Sequence, residues 1–116
     1  MKKLLFYSLS ITLIISSCRT LSSTTYIKAN DAFMLGNNEH GEFSVRLKNA
    51  STKNLELWRA PINGGKHSPL TVKPNETVKV CVEKNTALRI DNNNAEQATV
   101  ELFVKGDTGL SMGYKN

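Results

Sequence analysis

Strict alternation of apolar and polar residues is the feature that most restricts this chain. It is clearest in Thr77-Val78-Lys79-Val80-Cys81-Val82-Glu83, where three valines fall at every second position. Successive side chains of an extended strand point to opposite faces, so Val78, Val80 and Val82 share one side and Lys79, Cys81 and Glu83 the other. The same period runs through Glu42 to Lys48, with Phe43, Val45 and Leu47 inward. It returns in Ala98 to Val104, where Ala98, Val100, Leu102 and Val104 share a side and Phe103 faces the other way. No segment sustains a 3.6-residue period between helix caps.

Shorter stretches fill the gaps between these strands. Leu55-Glu56-Leu57-Trp58-Arg59 reads as a strand that Pro61 ends or edges, because proline cannot donate to a sheet ladder. Pro69 to Val72 and Ala87 to Ile90 are brief strands, the second stopped by Asp91-Asn92-Asn93-Asn94. Tyr26 to Ala29 and Leu110 to Tyr114 are candidates for the first and last strands, and Ala32 to Leu35 is either a strand or a loop plug. Lys73-Pro74-Asn75-Glu76 is a tight turn with its φ preset by proline. Seven or eight short strands parted by Asn, Gly and Pro predict an all-β fold, a small antiparallel β-sandwich over residues 26–116. Val45-Arg46-Leu47-Lys48-Asn49 also matches Leu88-Arg89-Ile90-Asp91-Asn92 in residue class, which suggests equivalent hairpins, one per sheet.

The front of the chain is of another kind. Met1-Lys2-Lys3 precedes an apolar run from Leu4 to Ile15, which as a helix would span only about 18 Å. A bilayer core needs roughly 30 Å, so the run is too short to anchor the chain. A lysine-rich start, an apolar centre and small residues before a cut site make up an export signal, expected to be removed. Residues 1–17 are therefore set apart as a signal peptide, and residues 18–25, Cys18 and a polar stretch ending at Thr25, read as a tether.

Ile15-Ser16-Ser17-Cys18 resembles the lipobox of bacterial lipoproteins: an aliphatic residue, two small ones and a cysteine. The resemblance covers the first 18 residues and implies a diacylglyceryl thioether on the Cys18 sulfur, cleavage after Ser17 and acylation of the new amino group. Two or three acyl chains hold a protein stably on a membrane where a single chain binds only marginally. In the sorting rule of enteric lipoproteins an aspartate after the cysteine retains the protein at the inner membrane, so Arg19 implies the outer membrane in a Gram-negative host. Thioether formation would also leave Cys81 without a partner in the chain, and a free cysteine is usually covered.

Charge and composition narrow the function. Lys2 and Lys3 account for two of the 15 basic side chains, so the exported part keeps only a mild excess over its 10 acidic ones. Lysines are spaced along the sequence without a run, and nucleic acid is not an expected partner. Asp107-Thr108-Gly109 has the letters of an aspartic protease triplet, but it follows Lys105-Gly106 and has only seven residues after it, so a turn is expected. His40 and His67 sit far apart in glycine-containing loops and are expected to be solvent-exposed; a shared metal site with Glu39 or Glu42 lacks convergent ligands. Asp91-Asn92-Asn93-Asn94-Ala95-Glu96 departs from a calcium loop, with alanine at a ligand position and glutamate where glycine belongs. No glycine-flanked nucleophile elbow is present, so the chain is expected to be non-enzymatic and without cofactor.

Trp58 falls on the polar side of its strand, opposite to Leu55 and Leu57. A tryptophan so placed stacks on a sugar ring, enters a protein partner, or lies under a neighbouring loop such as Asn63 to His67. The candidate contact surface is Trp58 and Arg59 with Asn63 and His67. The expected function is a lipid-anchored, non-enzymatic binding or scaffolding module of the cell envelope. Its partners are the membrane, through Cys18, and an envelope protein or glycan. Carbohydrate recognition by Trp58 and loop asparagines is the alternative, followed by a small envelope hydrolase or inhibitor.

Overall fold

The computed structural model describes residues 19–116, and the expectations for the signal peptide and Cys18 lie outside them. The described chain forms nine strands: β1 (Thr20–Ile27), β2 (Asp31–Leu35), β3 (Phe43–Asn49), β4 (Leu55–Pro61), β5 (His67–Val72), β6 (Thr77–Val82), β7 (Thr86–Asn92), β8 (Ala98–Gly106) and β9 (Met112–Tyr114). They make two antiparallel sheets, one ordered β1-β8-β3-β6 and the other β5-β4-β7-β2-β9. The first eight strands form a jelly roll, a double sheet of eight strands. The all-β sandwich expected from the alternation is the fold observed.

Alternation decides what is buried. Val45 and Leu47 from β3, Val100 and Val104 from β8, and Leu88 and Ile90 from β7 are closed off from solvent between the sheets. Removing each such side chain from water contributes about 1.5–3 kcal/mol, which offsets the entropy of ordering the strands. Pro69 is tolerated within β5 because that strand stands at a sheet edge, and Pro61 closes β4 as its sequence position required. At Gly106, the last residue of β8, the backbone has φ +107°, and an added Cβ would meet Glu42 O at 2.9 Å, so this position requires glycine.

Two expectations need correction. The polar stretch before Tyr26 is no tether: from Thr20 to Ile27 every residue pairs with β8, from Lys105 back to Ala98. Its inward positions are Leu21, Ser23, Thr25 and Ile27, and Ser23 and Thr25 join their hydroxyls at 2.9 Å. Serine and threonine bury little apolar area, so the strand owes its order to a partner more than 70 residues away. Second, β7 does not stop before Asp91 but runs on through Asn92. Ala32 to Leu35, left open as a strand or a loop plug, is a strand: it belongs to β2, held between β7 and the short β9.

The five-residue match between the two halves proves to be part of a longer repeat. Replacing each of the first eight strands by the one four places away converts β1-β8-β3-β6 into β5-β4-β7-β2. Asn49 and Asn92, at equivalent ends of β3 and β7, are both fully buried. Asn49 Nδ2 donates to Lys53 O (2.8 Å) and Val72 O (3.0 Å), while its Oδ1 accepts from Ser51 N (3.0 Å). Asn92 Nδ2 donates to Glu96 O (2.8 Å) and Ile27 O (3.0 Å), while its Oδ1 accepts from Asn94 N (3.2 Å). The turns agree as well: Asn30 in Lys28-Ala29-Asn30-Asp31 and Asn75 in Lys73-Pro74-Asn75-Glu76 have φ of 58° and 65°. Asparagine tolerates this left-handed conformation better than most side chains.

Candidate functional site

The outer face of the second sheet carries Trp58. Trp58 on β4 stands directly across from Arg89 on β7, and Glu56 across from Asp91. Arg89 and Asp91, two residues apart on one strand, share this face, and Arg89 Nε lies 2.6 Å from Asp91 Oδ1. Lys66, from the loop between β4 and β5, places its ammonium 3.8 Å from the other carboxylate oxygen of Asp91. That ammonium also sits 4.2 Å from the centroid of the Trp58 ring. Asp91 is thus nearly buried between two cations, one of which covers the tryptophan by a cation–π contact. The Trp58 indole N–H is buried and has no hydrogen-bond partner among the described residues.

Of the four residues proposed from the sequence, Arg59 and His67 pair across β4 and β5, but the four do not converge on one surface. Arg59 follows Trp58 and points to the opposite side of the strand. There its Nη2 donates to Cys81 O at 3.0 Å, and its Nε lies 3.8 Å from Glu83, so it bridges to the edge strand of the other sheet. His67 lies opposite Arg59 in register, exposed, with Nδ1 2.8 Å from Ser68 Oγ. Asn63 stands exposed in the turn that Gly64 N closes onto Pro61 O. The loop does cover Trp58, but through Lys66. Lys66, Arg89 and Asp91 were missed because nothing in the local sequence gives the β4–β7 register; the spacing of Arg89 and Asp91 was the available signal.

Other candidates resolve into structure. His40 is not exposed but packed, edge-on to Phe43, with its ring nitrogens 2.6 Å from Gly41 O and 2.9 Å from Thr86 O. Both nitrogens therefore face backbone carbonyl oxygens and not open solvent. Asp107 opens a turn: its carboxylate accepts from Gly41 N (2.7 Å) and Gly109 N (2.8 Å). The Gly41 N–H, then the Gly109 N–H, hold its pKa below the usual aspartate range. Asn92 turns its side chain inward to the carbonyls named above, so the Asp91–Glu96 segment does not present it to a cation. Among the described residues no three His, Cys, Asp or Glu side chains converge as metal ligands. Cys81, expected to be covered, is exposed, because β6 is an edge strand whose outer face has no layer above it.

The outer face of the first sheet gathers charges that lie far apart in the sequence. Arg46 on β3 stands between Phe103 on β8 and Lys79 on β6. Lys48 stands between Glu101 and Thr77, and Ser44 between Lys105 and Cys81. Ser22, Thr24, Arg46, Lys48 and Phe103 line a shallow open cleft across these strands. Basic residues scattered along the chain thus form a cationic face in three dimensions.

No family model matches the chain, and no curated protein does. Solved structures do resemble it. CapF from Staphylococcus aureus, a capsular polysaccharide assembling protein, superposes with a TM-score of 0.55 at 15% identity, over 74% of this chain and 24% of that one. Procruciferin, an 11S globulin of Brassica napus, gives 0.51 at 11% identity, over 82% and 22%. This chain therefore spans about a quarter of the length of either, and at such identities the likeness is one of fold.

Proposed function

We propose that the protein is a lipid-anchored, non-enzymatic module of the bacterial cell envelope that acts by binding. The observation that carries this reading is the position of β1, whose first residue, Thr20, stands two places after Cys18. A cut between Ser17 and Cys18 leaves all nine strands intact, so export processing and the fold are compatible to within two residues. Acyl chains on Cys18 would then seat the double sheet directly at the membrane surface, without the polar spacer that the sequence suggested. Mass spectrometry of the protein extracted from membranes tests this. A chain that starts at Cys18 and carries diacylglyceryl and acyl adducts is the expected product, with Cys18→Ser remaining unprocessed; a product that retains Met1, or an unmodified Cys18, overturns it.

Stacking of a sugar on Trp58 is less favoured than protein or membrane contact. Lys66 occupies one face of the indole, and lifting it away forfeits a cation–π contact of roughly 0.5–2 kcal/mol.

A further inference from the structure

We propose that the outer face of the sheet β1-β8-β3-β6 docks flat on a bilayer containing anionic phospholipid. Four cations, Arg46, Lys48, Lys79 and Lys105, project from three adjacent strands of this face, and within those strands Glu101 is the one outward carboxylate. Glu42 and Glu83 stand just beyond the strand ends. Among the described residues none of the four cations is in an ion pair, whereas Arg59, Lys66 and Arg89 elsewhere all are. Arg46 faces Lys79 directly across the ladder, a like-charge pair that is unfavourable until an anion arrives.

The face also has an apolar element. Phe103 lies half-buried at its middle, with the Lys105 ammonium 5.7 Å from the ring centroid. Tyr26, at the far end of β1, is 55% exposed on the same side. A bilayer interface offers phosphates to the cations and a boundary zone to the aromatic rings. The start of β1 agrees, since Thr20 pairs with Lys105 at a corner of this face. Lysine and arginine near an anionic surface add attraction that supplements a lipid chain. The biological setting of this orientation rests on the lipid-anchored reading; the surface chemistry does not.

The test therefore uses the unacylated chain from Arg19 to Asn116, which carries all nine strands and has Cys81 as its single thiol. It is sedimented with phosphatidylcholine vesicles, with or without phosphatidylglycerol. The expected result is partition onto the anionic vesicles alone, weakened by salt. Replacing two cations in the double variant R46Q/K79Q should lower that partition about 30-fold, whereas K53Q, in the turn before β4, leaves it unchanged. An environment-sensitive dye on Cys81, which shares the docking face, should shift to the blue on binding. Equal partition onto neutral vesicles, indifference to the double variant, an unshifted dye, or binding to soluble polygalacturonate in place of vesicles overturns the proposal. Vesicle binding by a protein whose native form lacks acyl chains would remove the lipid anchor and keep the face; acylation without vesicle binding would do the reverse.

Discussion

The two sheets are built on one plan and finished differently. On β3 and β8, Arg46 faces Phe103 and Lys48 faces Glu101; at the equivalent places on β7 and β4, Arg89 faces Trp58 and Asp91 faces Glu56. Three differences separate the two surfaces: Lys48 is matched by Asp91, Lys79 opposite Arg46 by Met34 opposite Arg89, and Lys105 by the buried Ala60. Asp91 draws in Arg89 and Lys66, and the result is a closed, internally neutralised cover over Trp58. Lys48 neutralises nothing on its own strand, and its face stays open and cationic. A repeated scaffold thus leaves the charges of one surface uncompensated while those of the other are neutralised within the body.

This comparison can be broken most severely in the core. Leu57→Ala and Leu102→Ala occupy equivalent inward places, and each should lower unfolding free energy in urea by about 2–5 kcal/mol. A gap between them of more than about 2 kcal/mol would mean that the two halves do not share the load. Next come the buried asparagines. Asn49→Ala and Asn92→Ala each strand backbone groups that the amide satisfies, and about 2–3 kcal/mol should be lost in either case.

The outer faces should then diverge. Asp91→Ala leaves Arg89 beside Trp58 without its counter-charge and should cost about 1–3 kcal/mol, whereas Lys48→Ala should stay within about 0.5 kcal/mol. Equal losses would dissolve the distinction between a closed face and an open one. Lys79→Glu, which turns a repulsive cross-strand pair with Arg46 into an attractive one, should stabilise the fold by a few tenths of a kcal/mol, about 0.2–1, even as it weakens vesicle binding.

The smallest effect concerns Asp107, in the loop after β8; the matching loop after β4 has Ile62 and no carboxylate there. Because folding lowers the Asp107 pKa, its contribution to stability is fully present above the ordinary carboxylate range and fades as pH falls through its own lower value. By NMR its carboxyl should titrate below an unperturbed aspartate, and Asp107→Asn should flatten the acid limb of the stability curve slightly. A midpoint at or above the unperturbed value would remove the Gly41 and Gly109 bonds as its cause.

Legibility differed by the range of the interaction that decides each feature. Val78, Val80 and Val82 announced their strand because period-two burial is written into adjacent residues. Thr20 to Thr25 hid theirs, since Ser22, Ser23 and Thr24 carry no such signal and the order comes from the β8 ladder. The match of 45–49 with 88–92 was visible, but the equivalence of Lys28-Ala29-Asn30-Asp31 with Lys73-Pro74-Asn75-Glu76 emerged only when the turns were seen to share a backbone conformation. Trp58 was correctly placed on the polar side of its strand. Its partnership with Lys66 was not legible, because a loop side chain reaches it from outside the ladder.

Taken alone, the amino-acid order determined that this chain would be strands and which side of the strongest ones would be inward. Tertiary structure alone decided which strands became neighbours, and with that which charges meet. Burial preference is a property of a residue and its immediate neighbours, whereas cross-strand pairing depends on loop closure over tens of residues. Four basic side chains from three strands distant in sequence therefore became one surface, and the stretch ahead of Tyr26 became the first strand of the sheet that carries it.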